Sequence, residues 1–244
     1  MMHGKVVISL LMFAVGTYAG PISKVVGGHN APPGKYPFQI ITKYGNSFLC
    51  GGTILNHRYI LTAAHCLHGF DVTRFKVVTG INRQSDNGTI YNAENLIIHE
   101  NYKPGGYSND IGLIQVKEDI IYSKVVQPVP LPSKNFDNYN DEVILIGFGR
   151  LGIDKPPAKT LQEVKLEIYP YSKCISLVPH VGKTHVCTLT KPGEGACNGD
   201  SGGALLAKGK QIGIVSFGAP CAVGLPDVYT RVQSYLTWIK NNSN

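Results

Sequence analysis

The chain is poor in charged residues, in methionine and in long apolar runs. Charged residues make up 16% of its 244 positions and hydrophobic residues 43%, which excludes a disordered polyelectrolyte. All three methionines lie near the N-terminus. Beyond that segment no apolar run approaches the roughly 18 residues of a membrane-spanning helix, so we predict no membrane partner. The lysines are scattered, without the clustered basic and aromatic surface of a nucleic-acid-binding protein.

Residues 1–19 have the pattern of a signal peptide. Lys5 precedes an apolar core over residues 6–15 that is too short to span a bilayer, and small residues follow at 17–19. We therefore expect a secreted, extracellular product. Removal of Lys5 and Lys24 would lower the formal net charge from +7 to +5, which is ordinary for a mildly basic soluble surface.

The six cysteines form an even set, and secretion favours disulfides over thiols. Their spacing alone does not choose among the possible pairings. A zinc site around His65, Cys66 and His68 is the alternative, but no second metal-ligand motif accompanies it. The sequence therefore predicts disulfides, no metal site and no cofactor.

Glycines and prolines occur at short intervals along the chain, which predicts short strands joined by turns. The 28 glycines and 15 prolines occur with few long helical patterns. Apolar runs at 38–41, 51–55, 59–61, 75–78, 96–98, 143–146 and 212–216 are typical of strands. The fold class is therefore all-β, with a helix near residues 233–241 and a proline-rich linker at 126–132.

Three short motifs carry residues that together support nucleophilic catalysis. Ser201 lies in the glycine-rich run GACNGDSGG at 195–203, His65 follows an apolar strand, and Asp110 precedes another. A serine hydroxyl needs a base to become a nucleophile, and a histidine oriented by an acid supplies one. Each residue alone would suit a polar turn or a core histidine, but the three together indicate a catalytic triad.

These motifs, with VVGG at 25–28, make the chain resemble the chymotrypsin/trypsin family of serine endopeptidases, most of all invertebrate chymotrypsins. The resemblance covers residues 25–244. It implies two six-stranded antiparallel β-barrels, at about 25–132 and 133–231, and a C-terminal α-helix at about 232–242. It also implies an activation propeptide at 20–24, cleaved after Lys24 by a trypsin-like protease, so that the new Val25 ammonium pairs with Asp200.

The resemblance assigns a role to each motif residue. Ser201 would be the nucleophile, His65 the general base and then acid, and Asp110 the residue that orients His65. The backbone N–H groups of Gly199 and Ser201 would form the oxyanion hole, and Ser216 would support Asp110 or the substrate backbone. The implied disulfides are Cys50–Cys66, Cys174–Cys187 and Cys197–Cys221.

The primary specificity pocket departs from that of trypsins. Gly195 stands where Lys- and Arg-specific relatives have an aspartate, and Gly218 stands where a glycine admits large side chains. Asp227 occupies a position that is often glycine. We expect a roomy pocket that prefers large apolar or aromatic residues. The alternative is a broad or trypsin-like digestive protease that uses Asp227 to bind basic side chains.

Two alternative functions are also compatible with parts of the sequence. The chain could be an inactive homologue that acts as a binding module, although all three triad residues are present. The GFGRLG run at 147–152 matches a dinucleotide-binding motif, but IDKPP follows it where a helix is required.

Protein or peptide substrates and protein protease inhibitors are the expected partners of a monomer. Glycosylation sequons occur at Asn87 and Asn241.

Overall fold

The computed structural model describes residues 25–133, 142–219 and 221–244. The predicted signal peptide, the propeptide and Lys24 lie outside these residues. In the described part of the chain the strands, in order, are β1 (His29–Asn30), β2 (Gln39–Tyr44), β3 (Ser47–Ile54), β4 (Tyr59–Thr62), β5 (Phe75–Thr79), β6 (Thr89–Ile98), β7 (Gly112–Val116), β8 (Val143–Gly147), β9 (Gln162–Leu166), β10 (Ile168–Tyr169), β11 (His185–Thr188), β12 (Ala204–Ala207), β13 (Lys210–Gly218) and β14 (Asp227–Arg231).

The first half of the chain closes into an antiparallel barrel with the strand order β2-β3-β4-β7-β6-β5. β-branched and aromatic side chains fill its interior because they pack well on a pleated surface. Ile40, Ile60, Phe75 and Ile114 are completely buried there. A barrel leaves no unpaired strand edge, so the loops at its rim are held on a rigid base.

The second half forms an eight-stranded antiparallel sheet with the order β1-β9-β8-β12-β13-β14-β11-β10. This sheet is open and has eight strands, whereas the expectation was a closed six-stranded barrel. Two-residue strands extend both edges: β1 pairs with β9, and β10 pairs with β11. β1 belongs to the N-terminal segment, so residues assigned from sequence to the first barrel pair with the second sheet.

A shared apolar layer joins the two halves. Ile41 and Val78 of the barrel pack with Ile146 and Leu206 of the open sheet. Thr53 also donates a hydrogen bond of 2.6 Å to Gln211 across this junction, where both side chains are buried. The functional residues described below are carried by loops on either side of this layer.

The predicted C-terminal helix is present. A 3-10 turn at Val232–Tyr235 leads into α2 (Leu236–Asn242), and Ile239 packs with Leu61 and Leu113 of the barrel. The other helical segments are 3-10 turns at Ala64–Cys66 and Val72–Arg74 and helix α1 (Tyr171–Leu177), none of which the sequence predicted. Among the described residues, no helix has the length and apolar character needed to cross a membrane. The all-β fold with a C-terminal helix is thus confirmed.

Candidate active site

His65 and Asp110 meet at the rim of the first barrel. His65 lies in the 3-10 turn that follows β4, and Asp110 lies two residues before β7. The His65 ring atom Nδ1 is 2.8 Å from Oδ2 of Asp110, and the His65 backbone N–H donates to Oδ1 at 2.9 Å. The carboxylate therefore fixes both the ring and the backbone of the histidine. With a proton on Nδ1, the Nε2 atom is left as the proton acceptor.

The buried Asp110 carboxylate receives a third hydrogen bond from the second half of the molecule. Ser216 Oγ donates to Oδ2 at 2.5 Å, and Thr230 Oγ1 donates to the Asp110 backbone carbonyl at 2.7 Å. Burial alone would raise the pKa of Asp110, but the hydrogen bonds and charge of His65 and the bond from Ser216 bring this pKa below its ordinary value. Asp110 is therefore held as an anion.

Ser201 lies on the turn that enters the second sheet, against the strands that carry His65. Its carbonyl accepts the Gly51 N–H at 2.9 Å. The next residue, Gly202, has a φ of +75°, and a Cβ there would overlap the Thr62 hydroxyl. Only glycine permits this approach. Gly51 lies in β3 and Thr62 ends β4, the strand that leads to His65, so the turn that carries Ser201 packs against these two strands of the first barrel.

The backbone around Ser201 presents two unengaged donors. Within the described part of the chain, neither the Gly199 nor the Ser201 N–H donates to a protein acceptor. Their neighbours are engaged, because the N–H groups of Asp200 and Gly202 bond to the carbonyls of Cys197 and Val215. Such a pair of free N–H groups next to a nucleophile can stabilise a developing oxyanion.

Asp200 is fully buried behind this turn. Its two carboxylate oxygens accept backbone N–H groups, from Gly149 at 2.8 Å and from Cys197 at 3.0 Å. Burial raises the pKa of Asp200 to about 7, and these two hydrogen bonds oppose the rise. A buried carboxylate in this state favours a nearby cation.

Two glycines of the run at 147–152 make the space for the Asp200 carboxylate. A Cβ at Gly147 or at Gly149 would overlap its oxygens. Both glycines are buried, so they are not simply part of a surface loop. No local pattern could have revealed the contact, because Gly149 and Asp200 are 51 residues apart. As expected, no helix follows the run in the described residues.

The N-terminal segment lies against the same region. Val25 is completely buried and packs in the core of the second sheet with Ala196 and Val215. Val26 forms a β-bridge with Gly195, whose N–H donates to the Val26 carbonyl at 3.0 Å. The segment expected to carry the activated N-terminus is thus tied to the serine-bearing turn.

A cavity of about 140 Å³ opens beside Ser201. It is lined by Ala196, Cys197, Asn198, Ser201, Val215, Ser216, Phe217, Gly218, Ala219 and Asp227.

Asp227 occupies the space that Gly195 leaves. A Cβ at Gly195 would overlap Oδ2 of Asp227, and a Cβ at Gly218 would lie 3.4 Å from its Oδ1. Oδ2 accepts the Ala196 N–H at 2.7 Å. Burial raises the pKa of Asp227 to about 7, the Ala196 N–H opposes this, and the nearby Asp200 adds to it.

An aromatic surface continues from the cavity. Phe217 lies on its wall, and the Tyr107 ring contacts Phe217 with centroids 4.6 Å apart. Tyr107 also stacks on His180 at 4.4 Å, with an interplanar angle of 9°. In the described residues, Phe217 and Gly218 of β13 pair only with β14, and Ser216 lies at the irregularity just before them. Their other edge can accept an extended peptide as an added strand.

The three disulfides join the pairs that the resemblance implies. Cys50–Cys66 lies next to His65, and its sulfurs and the histidine form the one metal-type cluster in the described part of the chain. Because both sulfurs are in the disulfide, this cluster offers no thiolate ligand. A His–Asp pair, a serine on a glycine-rich turn and two free N–H donors are the elements of a serine hydrolase site.

Comparisons with known proteins agree with this class. The family model described as Trypsin matches residues 25–239. Chymotrypsin-2 of Vespa crabro is 48% identical over 220 residues, which cover 89% of this chain and 99% of that protein. Trypsin, alkaline C of Manduca sexta is 32% identical and covers 97% of both chains. The structure of mouse neuropsin, a serine protease, matches with a TM-score of 0.82 at 30% identity, covering 89% of this chain and 99% of that chain. The chain belongs to the trypsin family and is a chymotrypsin-like serine endopeptidase.

Proposed function

We propose that this protein is a secreted digestive endopeptidase in which Ser201, His65 and Asp110 carry the reaction. Ser201 Oγ attacks the scissile carbonyl while His65 Nε2 takes its proton, and the Gly199 and Ser201 N–H groups bind the oxyanion. The histidine then protonates the leaving amine, and the C–N bond breaks to leave an acyl-enzyme. Water, deprotonated by His65, hydrolyses that ester and restores the serine.

The observation that carries this proposal is the hydrogen-bonded network around Asp110. Its carboxylate receives the His65 ring at 2.8 Å, the His65 backbone at 2.9 Å and Ser216 at 2.5 Å. The imidazolium formed in the reaction therefore faces an anion already held in place. Preorganised charge of this kind lowers the barrier without reorganisation during the step.

The decisive experiment compares Ser201→Ala with the wild type after activation. A fluorophosphonate probe should label the wild type and not the variant, and the variant should keep only about 10³–10⁴-fold catalysis over water, as in the relatives that define this mechanism. A protein protease inhibitor should still bind both. If the wild type is neither labelled nor active, the chain is instead a binding module.

We further infer a preference for large apolar or aromatic residues before the scissile bond. Gly218 lines the cavity and leaves it open to a ring, whereas the space beside Gly195 holds the Asp227 carboxylate. Burial of a ring in the cavity would stabilise the complex by roughly 25 cal/mol per Å². The 48% identity to a protein named Chymotrypsin-2 supports this preference. The Asp227 carboxylate attracts the cationic side chains of Lys and Arg, so these residues should also be accepted. Desolvation of the carboxylate offsets much of that attraction, so the preference for Lys or Arg should be secondary.

Activation by cleavage after Lys24 is supported by the surroundings of Val25 and Asp200. Cleavage by a trypsin-like protease would create an α-ammonium on Val25, which is buried against Ala196, four residues before Asp200. Pairing of the two charges would hold the turn that carries the Gly199 and Ser201 N–H groups. The signal-peptide pattern at 1–19 and the three disulfides support secretion, and we expect the mature enzyme to act as a monomer on protein or peptide substrates.

A further inference from the structure

His185 is a buried histidine of β11 that the catalytic mechanism does not use. It is 2% exposed. It lies beside the aromatic surface formed by Phe217 and Tyr107, called the substrate surface below, and not at the catalytic residues. Its Nε2 atom lies 2.7 Å from the Tyr107 carbonyl, 78 residues away in sequence, and its Nδ1 accepts the Gly182 N–H at 2.9 Å. Because the Gly182 N–H occupies Nδ1, the ring proton is on Nε2 and is donated to Tyr107.

The loop that His185 contacts leads directly into the catalytic aspartate. Tyr107 precedes Asp110 by three residues, and Asn109 between them has a φ of +57°. The His185 ring also meets Phe217 edge to face, with centroids 5.4 Å apart. His185 thus holds one aromatic residue of the substrate surface by its carbonyl and contacts the other by its ring.

We propose that His185 is a positioning residue that holds the Tyr107–Phe217 surface in place for the substrate residues lying N-terminal to the one in the primary pocket. The proposal rests on the endopeptidase function proposed above. The edge of β13 at 216–218 guides that part of an extended peptide past Phe217 and Tyr107. A substrate that fills only the primary pocket does not reach Tyr107, so its turnover is independent of His185.

Two substitutions separate the hydrogen bond from the packing. His185→Phe keeps a ring against Phe217 but removes the donor to Tyr107, whereas His185→Gln keeps an N–H donor of similar reach. His57→Phe is the matched control, because its Nδ1 bonds the Ile120 carbonyl at 2.8 Å and its ring stacks on Tyr122. Both of these control contacts lie outside the substrate surface.

The assay measures kcat/KM for two p-nitroanilides with the same leaving group, after processing of the full chain and titration of active sites. One is a tetrapeptide ending in Phe and the other is N-acetyl-Phe. His185→Phe should lower the tetrapeptide-to-single-residue ratio about tenfold, since small misplacements of binding groups cost large factors in rate. His185→Gln keeps a donor to Tyr107, and the contacts of His57 lie outside the substrate surface, so both variants should leave the ratio within about twofold.

Equal losses on both substrates in His185→Phe, or no loss on either, would overturn the proposal. So would a His185→Gln variant that loses the ratio as fully as His185→Phe. An inactive wild type would instead count against the endopeptidase function itself.

A pH series on the wild type tests the proposal without relying on the folding of His185→Phe. Protonation of Nδ1 would place two donors face to face at Gly182, so acidification should lower the ratio in the wild type and not in His185→Gln. Burial lowers the pKa of His185, while its hydrogen bonds and the Asp110 charge oppose this. Other ionisable neighbours are His180, stacked on Tyr107, and Arg231, which donates to the His185 carbonyl. Any effect of pH on the catalytic steps common to both substrates cancels in the ratio. A ratio that stays constant down to the acid limit of folding would overturn the proposal.

Discussion

Replacing Asp200 by asparagine should change the stability of the uncleaved precursor in a way that depends on pH. Asp200 is completely buried, and its recorded partners in the described residues are the N–H groups of Gly149 and Cys197. In a chain still continuous through Lys24 and Val25 no α-ammonium exists to pair with it. Its ionisation therefore opposes folding, and asparagine removes that charge.

The magnitude follows from the change in proton affinity on folding. The pKa of Asp200 rises from 3.8 to about 7, which corresponds to roughly 4 kcal/mol. Because the folded pKa is the higher one, the stability is fully present below the unfolded pKa near 4 and is lost as pH rises through about 7. Asparagine has one acceptor oxygen, so one backbone N–H loses its partner at a cost of about 1 kcal/mol. Asp200→Asn should thus stabilise the precursor by about 3 kcal/mol above pH 8 and weaken it slightly below pH 4.

The assay is urea unfolding of the precursor, kept uncleaved by Lys24→Gln, with and without Asp200→Asn. The free energy of unfolding is measured at intervals across the acid-to-alkaline range. The pH dependence that remains in the variant is expected from Asp227, whose burial raises its pKa in the same way. If the variant loses as much stability on alkalinisation as its parent, the burial of Asp200 is not the source and the reasoning fails.

Three further predictions concern activation, specificity and the N-terminal segment. Lys24→Gln should leave the chain nearly inactive after trypsin treatment, and full activity of this variant would contradict the proposed activation. The processed wild type should lose activity as pH rises through the folded pKa of the Val25 ammonium, which pairing raises above its unfolded value of about 7.7–8.0. Asp227→Gly should lower kcat/KM for Lys peptides and leave Phe peptides nearly unchanged, and a wild type that cleaves Lys peptides tenfold faster than Phe would make Asp227 the main specificity determinant. Glu163→Gln should destabilise the protein by about 1–3 kcal/mol at neutral pH, since buried Glu163 bonds Lys35 at 2.8 Å. Burial would raise the pKa of Glu163, but Lys35 and other partners lower it, so in urea titrations the difference should shrink as pH falls below the unfolded pKa and vanish only below the folded one.

Local patterns carried the prediction of the catalytic motifs and of the buried strands. The strands expected at 59–61, 75–78 and 143–146 are β4, β5 and β8 within one or two residues. A central strand is buried on both faces and reads as a short apolar run bounded by turns. Asp110 directly precedes such a run, and His65 follows one by a few residues.

Features that depend on partners far apart in sequence were not predictable in this way. β1 is a two-residue strand, and its pairing with β9 has no local pattern. The helix α1 has few apolar positions facing inward, with Cys174 as its one buried residue. The bond from His185 to Tyr107 spans 78 residues and joins a core histidine to a loop carbonyl. Nothing in either segment alone distinguishes this histidine from one that only packs.

The sequence by itself determined the all-β class and the residues able to do nucleophilic chemistry, because hydrophobic periodicity and residue type act over a few neighbouring positions. The tertiary structure determined the burial, the hydrogen-bond partners and the charge state of those residues. Only the folded chain places Ser216 on Asp110, packs Gly147 and Gly149 against Asp200, and puts the Asp227 carboxylate into the space beside Gly195. Burial and close approach set the charge and reach of each group, and both arise from contacts between segments that the chain order does not show.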